Sequence, residues 1–303
     1  MKRLTTVAVT LAVSLVACTG QAPEPEPTAA GTQQLLSADR ESMVALGLAY
    51  PSAADLYAAL KARAGGGEPL SVDDMPDWTG FWQRVRTPFF DPEQPDGVLT
   101  TAKLTPAAMA ELSQRRELSS QHVEYDPISD CSPPGFPRWL VIPFLREFIV
   151  TPQQTYLFSE TVNNLRRIYT DGREHPPADD AYPLFYGDSI GFWSGHTLVI
   201  HTSQVRAGIF HRNDPQHSDQ LEAVEAWHKA DPETVIADVW VYDPVTLTEP
   251  WYTQQIYKQV PNPDGYLRID YWNCRENPNN TIVKTEEGTS QFSDFTFTDG
   301  DSR

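Results

Sequence analysis

Residues 170–176, TDGREHP, gather Asp171, Arg173, Glu174 and His175 on one loop, and Gly187-Asp188-Ser189 follows after a proline-rich stretch. A histidine beside a carboxylate is the minimum for general acid–base work, because the carboxylate fixes the imidazole tautomer and tunes its basicity towards neutral pH. His175, Asp188 and Arg173 are therefore the candidate catalytic residues. The competing reading is a charged hairpin tip whose polar groups are spent on backbone hydrogen bonds.

A second set has the chemistry of a ligand cavity, in which apolar walls bind and a few polar groups orient. His201 lies mid-strand in residues 197–202, TLVIHT, where alternation separates Thr197, Val199 and His201 from Leu198, Ile200 and Thr202. Asp238 shares a face with Trp240 and Tyr242, and Arg166 shares one with Asn164 and Ile168. With Glu160, these form the candidate ligand-binding set: His201, Arg166, Glu160, Asp238, Trp240 and Tyr242. Residues 211–217, HRNDPQH, offer two histidines and an aspartate, but a loop does not fix metal geometry, so no metal is expected. The H-E-x-x-H, P-loop and dinucleotide fingerprints do not occur, and no cofactor is expected.

Stepping from these groups to the elements that carry them, residues 34–75 read as a helical segment. Ser52-Ala-Ala-Asp55 has the form of a capping box, and Gly65-Gly66-Gly67 closes the run. Thr105-Pro106 opens another helix. From residue 76 the pattern is strand: 78–86, 146–150, 155–160, 162–169, 189–193, 197–202, 220–227, 235–242, 252–259 and 266–273. Asp171-Gly172, Ser194-Gly195, Asp243-Pro244 and Asp264-Gly265 mark turns between them. The expected fold is all-β: an antiparallel meander of about ten strands over residues 76–280, closed as a barrel to remove its edges, with N-terminal satellite helices. A β-sandwich is the alternative.

The chain has 303 residues with 23 Lys plus Arg against 41 Asp plus Glu, a formal charge of −18. So negative a chain lacks the basic surface that nucleic acid and anionic membrane faces require, so no nucleic-acid partner is expected. Hydrophobic residues are 40% of the total, enough for a real core. Met1-Lys2-Arg3 and the apolar run 7–17 have the layout of a signal peptide, too short to span a bilayer. The run ends in Leu15-Val16-Ala17-Cys18, which resembles the lipobox of bacterial lipoproteins. That resemblance implies a leader of residues 1–17, acylation at Cys18, a tether over 18–33, and an outer-membrane anchor facing the periplasm or the surface, the membrane being met through the lipid alone. Cys131 and Cys274 remain, and in an exported compartment a disulfide is expected, with two free thiols or a metal site as the alternative. It would close a loop of 274 − 131 = 143 residues.

Gly80-Phe81-Trp82 matches the G-x-W that opens lipocalin-type barrels. Four longer motifs carry a broader likeness: DPISDCSPPGFPR (126–138), RRIYTDGREHP (166–176), GDSIGFW (187–193) and NCRENP (273–278). Together they resemble a group of uncharacterised secreted β-rich proteins of environmental proteobacteria, many of which carry Glu-Gly-Asp where this chain has Ser194-Gly195-His196. The resemblance implies no activity. Two functional expectations follow from the residues. One is a lipid-tethered barrel that binds a hydrophobic aromatic, terpenoid or steroid-like small molecule. The other is a hydrolase, lyase or isomerase with a His–Asp acid–base pair at the barrel mouth. Residues 281–303 are expected to form a tail.

Overall fold

Nine strands close into a ring. They are β1 (Phe81–Arg84), β2 (Arg146–Val150), β3 (Gln154–Ser159), β4 (Asn164–Tyr169), β5 (Asp188–Ser194), β6 (Thr197–Ser203), β7 (Glu222–Asp231), β8 (Thr234–Tyr242) and β9 (Trp251–Val260). The structure is a computed structural model describing residues 36, 39–85, 102–124, 126–211, 214–272, 282–284 and 290–292. The leader, the tether, Cys18 and Cys274 lie outside the described residues. Around the ring the order is β1-β9-β8-β7-β6-β5-β4-β3-β2, and β2 returns to β1 through Phe81↔Glu147 and Trp82↔Arg146.

The sheet is mixed, which corrects the expectation of a purely antiparallel meander. Eight neighbour pairs are antiparallel, and β4 meets β5 in parallel at Tyr169↔Ile190. The reason is parity. Strands that alternate up and down around a closed ring of odd number must leave one parallel neighbour, and the long connection 170–187 brings the chain back to the same end. Closure displaces the sandwich alternative. The expected strand at 266–273 does not form among its described residues, 266–272: β1 already occupies the free edge of β9, and Tyr266 and Tyr271 stand exposed. The expected tail also carries structure, since 282–284 and 290–292 pair with each other and with 123–124.

The helical segment is two helices, α1 (Arg40–Leu48) and α2 (Ala53–Arg63), bent by 115° at the break that holds Pro51. Asp39 caps α1, and Ser52 caps α2 by accepting from the Asp55 N–H at 3.1 Å. A third helix, α3 (Pro106–Ser120), follows its Thr105 cap.

Alternation sorts two cores. The inner one holds Trp82, Phe148, Leu157, Trp193, Trp227 and Tyr257 from the strands, together with Phe136, Trp139 and Leu140. The last three belong to residues 134–142, an unbroken buried segment that packs against the strands' inner faces. Arg146 holds this plug by donating to the carbonyls of Trp139 (2.5 Å) and Phe144 (3.3 Å), and the Tyr257 hydroxyl donates to Leu140 at 2.9 Å. Trp82, the aromatic of the G-x-W, is fully buried and donates from Nε1 to the Trp78 carbonyl. Gly80 has φ +117°, and a Cβ there would meet Gln259 Nε2 at 2.5 Å. The outer core lies beneath α1 and α2, where Met43, Leu56, Tyr57 and Leu60 cover Phe192, Val199, Val224 and Trp240.

Candidate active site on the outer wall of the barrel

The chain enters β5 through Gly187, whose φ is +65°. A Cβ at that position would sit 2.4 Å from the Ser203 carbonyl, so only glycine lets Asp188 pair against Ser203 at the head of β6. Register then places His201 of β6 opposite Ile190 of β5 and Val224 of β7. His201 shares its outward face with Val199, while Leu198 and Ile200 belong to the inner core. Glu222, two residues before Val224, lies diagonally across from His201 on that outer face.

The loop 170–187 lays His175 over these strands. Its tip is tied off by Asp171, which accepts from Arg173 Nε and Nη2 at 2.9 and 2.6 Å, while the Arg173 guanidinium stacks 3.8 Å from the centre of the Tyr169 ring. The Arg173–Asp171 contacts hold the Asp171 carboxyl below its ordinary pKa. Gln204 donates to the Pro176 carbonyl at 3.2 Å and pins the other side of the loop.

Four side chains then form a continuous line. Asp188 Oδ1 is 2.5 Å from His175 Nδ1, His175 Nε2 is 2.9 Å from His201 Nδ1, and His201 Nε2 is 3.4 Å from Glu222 Oε2. The Tyr57 ring from α2 stacks on His201 at 5.4 Å and 27°, closing the line from above. His201 is 7% exposed, His175 and Asp188 17% and 18%, and Glu222 37%, so the line is most covered at His201 and most open at Glu222.

Proton counting gives this line a direction. Three contacts need three ring protons if both carboxylates are ionised, whereas two neutral imidazoles supply two. With both rings neutral, placing the two protons on the two shortest contacts makes His175 Nδ1–H the donor to Asp188 and His201 Nδ1–H the donor to His175 Nε2. The contact left without a proton is the longest, at His201 Nε2. In the neutral pair that nitrogen is a free base, oriented by His175 as His175 is oriented by Asp188.

The open end meets a cavity. Glu222 and Tyr242 line an open pocket of about 810 Å³ whose other walls include Pro51, Ala53, Leu247 and Pro250. Glu249, the other acid on its wall, is paired with Lys103 at 2.8 Å.

The structure thus brings together His175, Asp188 and His201. Arg173 is spent on Asp171 and Tyr169. Arg166 points inward, where it forms a fork with Glu225, Nη1 to Oε2 at 2.9 Å and Nη2 to Oε1 at 2.5 Å, with Thr202 at 2.8 Å and Ser189 at 3.2 Å. Asp238 is on the outer face, accepting from Tyr252 Oη at 2.6 Å and Gln254 Nε2 at 2.9 Å, and burial raises its pKa. Trp240 and Tyr242 dock α1: the indole donates to the Met43 carbonyl at 2.7 Å, and the Tyr242 hydroxyl to that of Gly47 at 2.9 Å. Glu160 belongs to the turn between β3 and β4, where partial burial, and then the Asp270 carboxylate, raise its pKa. Cys131 is disulfide-bonded, with both other cysteines outside the described residues.

Glu222, Tyr57 and Glu225 are the residues the sequence reading passed over. A signal for Glu225 exists in residues 223–227, AVEAW, where one acid interrupts an apolar strand. Among the described residues no group of three or more His, Cys, Asp or Glu is placed to hold a metal ion. His217 packs its ring against Phe210, and burial lowers its pKa. No family model matches the chain, and no curated protein is detectably similar to it.

Proposed function

We propose that this protein is a lipid-anchored enzyme of the bacterial envelope that performs acid–base chemistry with its own side chains, as an isomerase, lyase or hydrolase. The observation that carries the reading is the line Asp188–His175–His201–Glu222, whose open end, Glu222, lines an open pocket. His201 Nε2 takes a proton from the substrate, or from a water that attacks it. The imidazolium so formed donates to Glu222, and its charge is spread to His175 and stabilised by Asp188. The same nitrogen returns the proton to the product, so the site is restored without a net change. The leader-and-lipobox pattern ending at Cys18 supports export and anchoring, and disulfide-bonded Cys131, with Cys274 as its proposed partner, suits an oxidising compartment. The motif set 126–138, 166–176, 187–193 and 273–278 supports kinship with the secreted proteobacterial group.

A second reading, carriage of a hydrophobic aromatic, terpenoid or steroid-like molecule in a lipocalin-like barrel, draws on the aromatic inner core. Those aromatics stack on one another, Trp82 on Phe148 at 6.1 Å and Trp227 on Tyr257 at 5.3 Å, and the buried 134–142 segment packs among them. This favours a structural role for them over a ligand cavity. The test is a turnover screen of small esters, lactones, enolisable ketones and amines with wild-type protein beside His175→Ala and His201→Ala. A substrate whose turnover falls by about 10²-fold or more in both variants is the expected result. Equal turnover in wild type and variants contradicts the proposal.

A further inference from the structure

The pocket at Glu222 has a chemistry of its own. Among the described residues its charged lining is two acids, Glu222 and Glu249, with no lysine or arginine. Glu249 is neutralised by Lys103, whereas among the described residues Glu222 has one polar contact, the long one to His201. Glu222 and Tyr242 are direct cross-strand partners on β7 and β8. The Tyr242 hydroxyl is committed to the Gly47 carbonyl, so what it presents to the pocket is its ring. A carboxylate beside an aromatic ring, on an apolar wall that includes Pro51, Ala53, Leu247 and Pro250, is the combination that recognises an ammonium group on an apolar body. A carboxylate ligand would meet like charge there. The formal charge of −18 draws cations towards the protein and repels anions.

We infer that this pocket binds an organic amine in its protonated form, the ammonium lying between the Glu222 carboxylate and the Tyr242 ring with its apolar part against the proline-lined wall. The inference rests on the proposed acid–base site and names the substrate class it takes: an amine held at Glu222, the end of the line that opens on the pocket.

The test is calorimetric titration of the full chain with three probes of one shape: benzylammonium, benzyl alcohol and benzoate. Benzylammonium binds, benzyl alcohol binds about tenfold more weakly, and benzoate gives no measurable heat. Glu222→Gln lowers benzylammonium affinity about tenfold. Tyr242→Leu lowers it about threefold or more. Circular dichroism of each variant verifies that the barrel is intact. Benzoate or benzyl alcohol binding as tightly as benzylammonium overturns the inference, as does unchanged affinity in Glu222→Gln. His175→Ala separates the two proposals, since it breaks the proton line and leaves the pocket whole. Benzylammonium bound equally by wild type and His175→Ala, with no His175-dependent turnover, supports the pocket and contradicts the enzyme. His175-dependent turnover of an uncharged substrate without benzylammonium binding does the reverse.

Discussion

Replacing Glu225 by glutamine tests whether the barrel interior is a closed core. Arg166 and Glu225 are 1% and 0% exposed at their side chains, so neither charge has water to fall back on. The guanidinium forks onto both carboxylate oxygens and also reaches Thr202 and Ser189, and it lies 4.6 Å from the centre of the Phe136 ring. The carboxylate accepts additionally from Trp227 Nε1 at 3.0 Å. Glutamine keeps the volume and one acceptor but leaves the guanidinium charge uncompensated, which in a buried pair costs about 3–5 kcal/mol. Against a typical domain stability of about 5–15 kcal/mol, that loss is large enough to move a urea midpoint plainly at constant m. The double variant Arg166→Met with Glu225→Gln removes the orphaned charge and recovers at least about 2 kcal/mol of the loss. If Glu225→Gln costs less than about 1 kcal/mol, water or another anion reaches Arg166, and the reasoning that makes the interior structural fails.

Three further outcomes follow. Tyr242→Phe removes the hydroxyl that donates to the Gly47 carbonyl, and costs about 1 kcal/mol in urea unfolding without loss of the barrel's circular dichroism. Arg146→Met strips the donor from the Trp139 and Phe144 carbonyls, costs about 2–4 kcal/mol, and makes the 134–142 segment sensitive to limited proteolysis. Burial pushes the Asp214 carboxyl up to about 7, against the pull of Arg116, Arg115 and Arg138. Its proton is therefore held more tightly in the folded chain, so this group favours folding fully below about pH 4 and loses that contribution as pH rises through 7. Asp214→Asn accordingly matches wild type below about pH 4 and exceeds it at about pH 8 by on the order of 4 kcal/mol, read from unfolding midpoints across pH. Equal midpoints at the higher pH would refute the assignment.

Strand positions were legible in the sequence because each is bounded by turn chemistry: Asp171-Gly172 ends β4, Ser194-Gly195 joins β5 to β6, and Asp243-Pro244 ends β8. What alternation could not say was which face is inside. β5 and β6 are buried on both faces, the inner against the aromatic core and the outer beneath α1 and α2, so no polar face marks the solvent side. That is why His201 and Asp238 read equally well as cavity residues. The parallel β4–β5 contact depends on the parity of the ring, which no local pattern encodes. His175 and Asp188 were legible as a pair because each sits at a turn with an unusual density of polar groups. Glu222 was not, since an acid near the end of a strand looks like any solvated residue until register sets it diagonal to His201.

A free base at His201 Nε2, held by two imidazoles in series, is visible to imidazole nitrogen NMR of the 15N-labelled full chain at neutral pH. Nδ1 is expected protonated and Nε2 unprotonated on both His175 and His201, with the His201 signals shifting in Asp188→Asn, a residue His201 does not touch. Protonated Nε2 on both rings, or His201 signals unchanged by Asp188→Asn, would contradict this assignment.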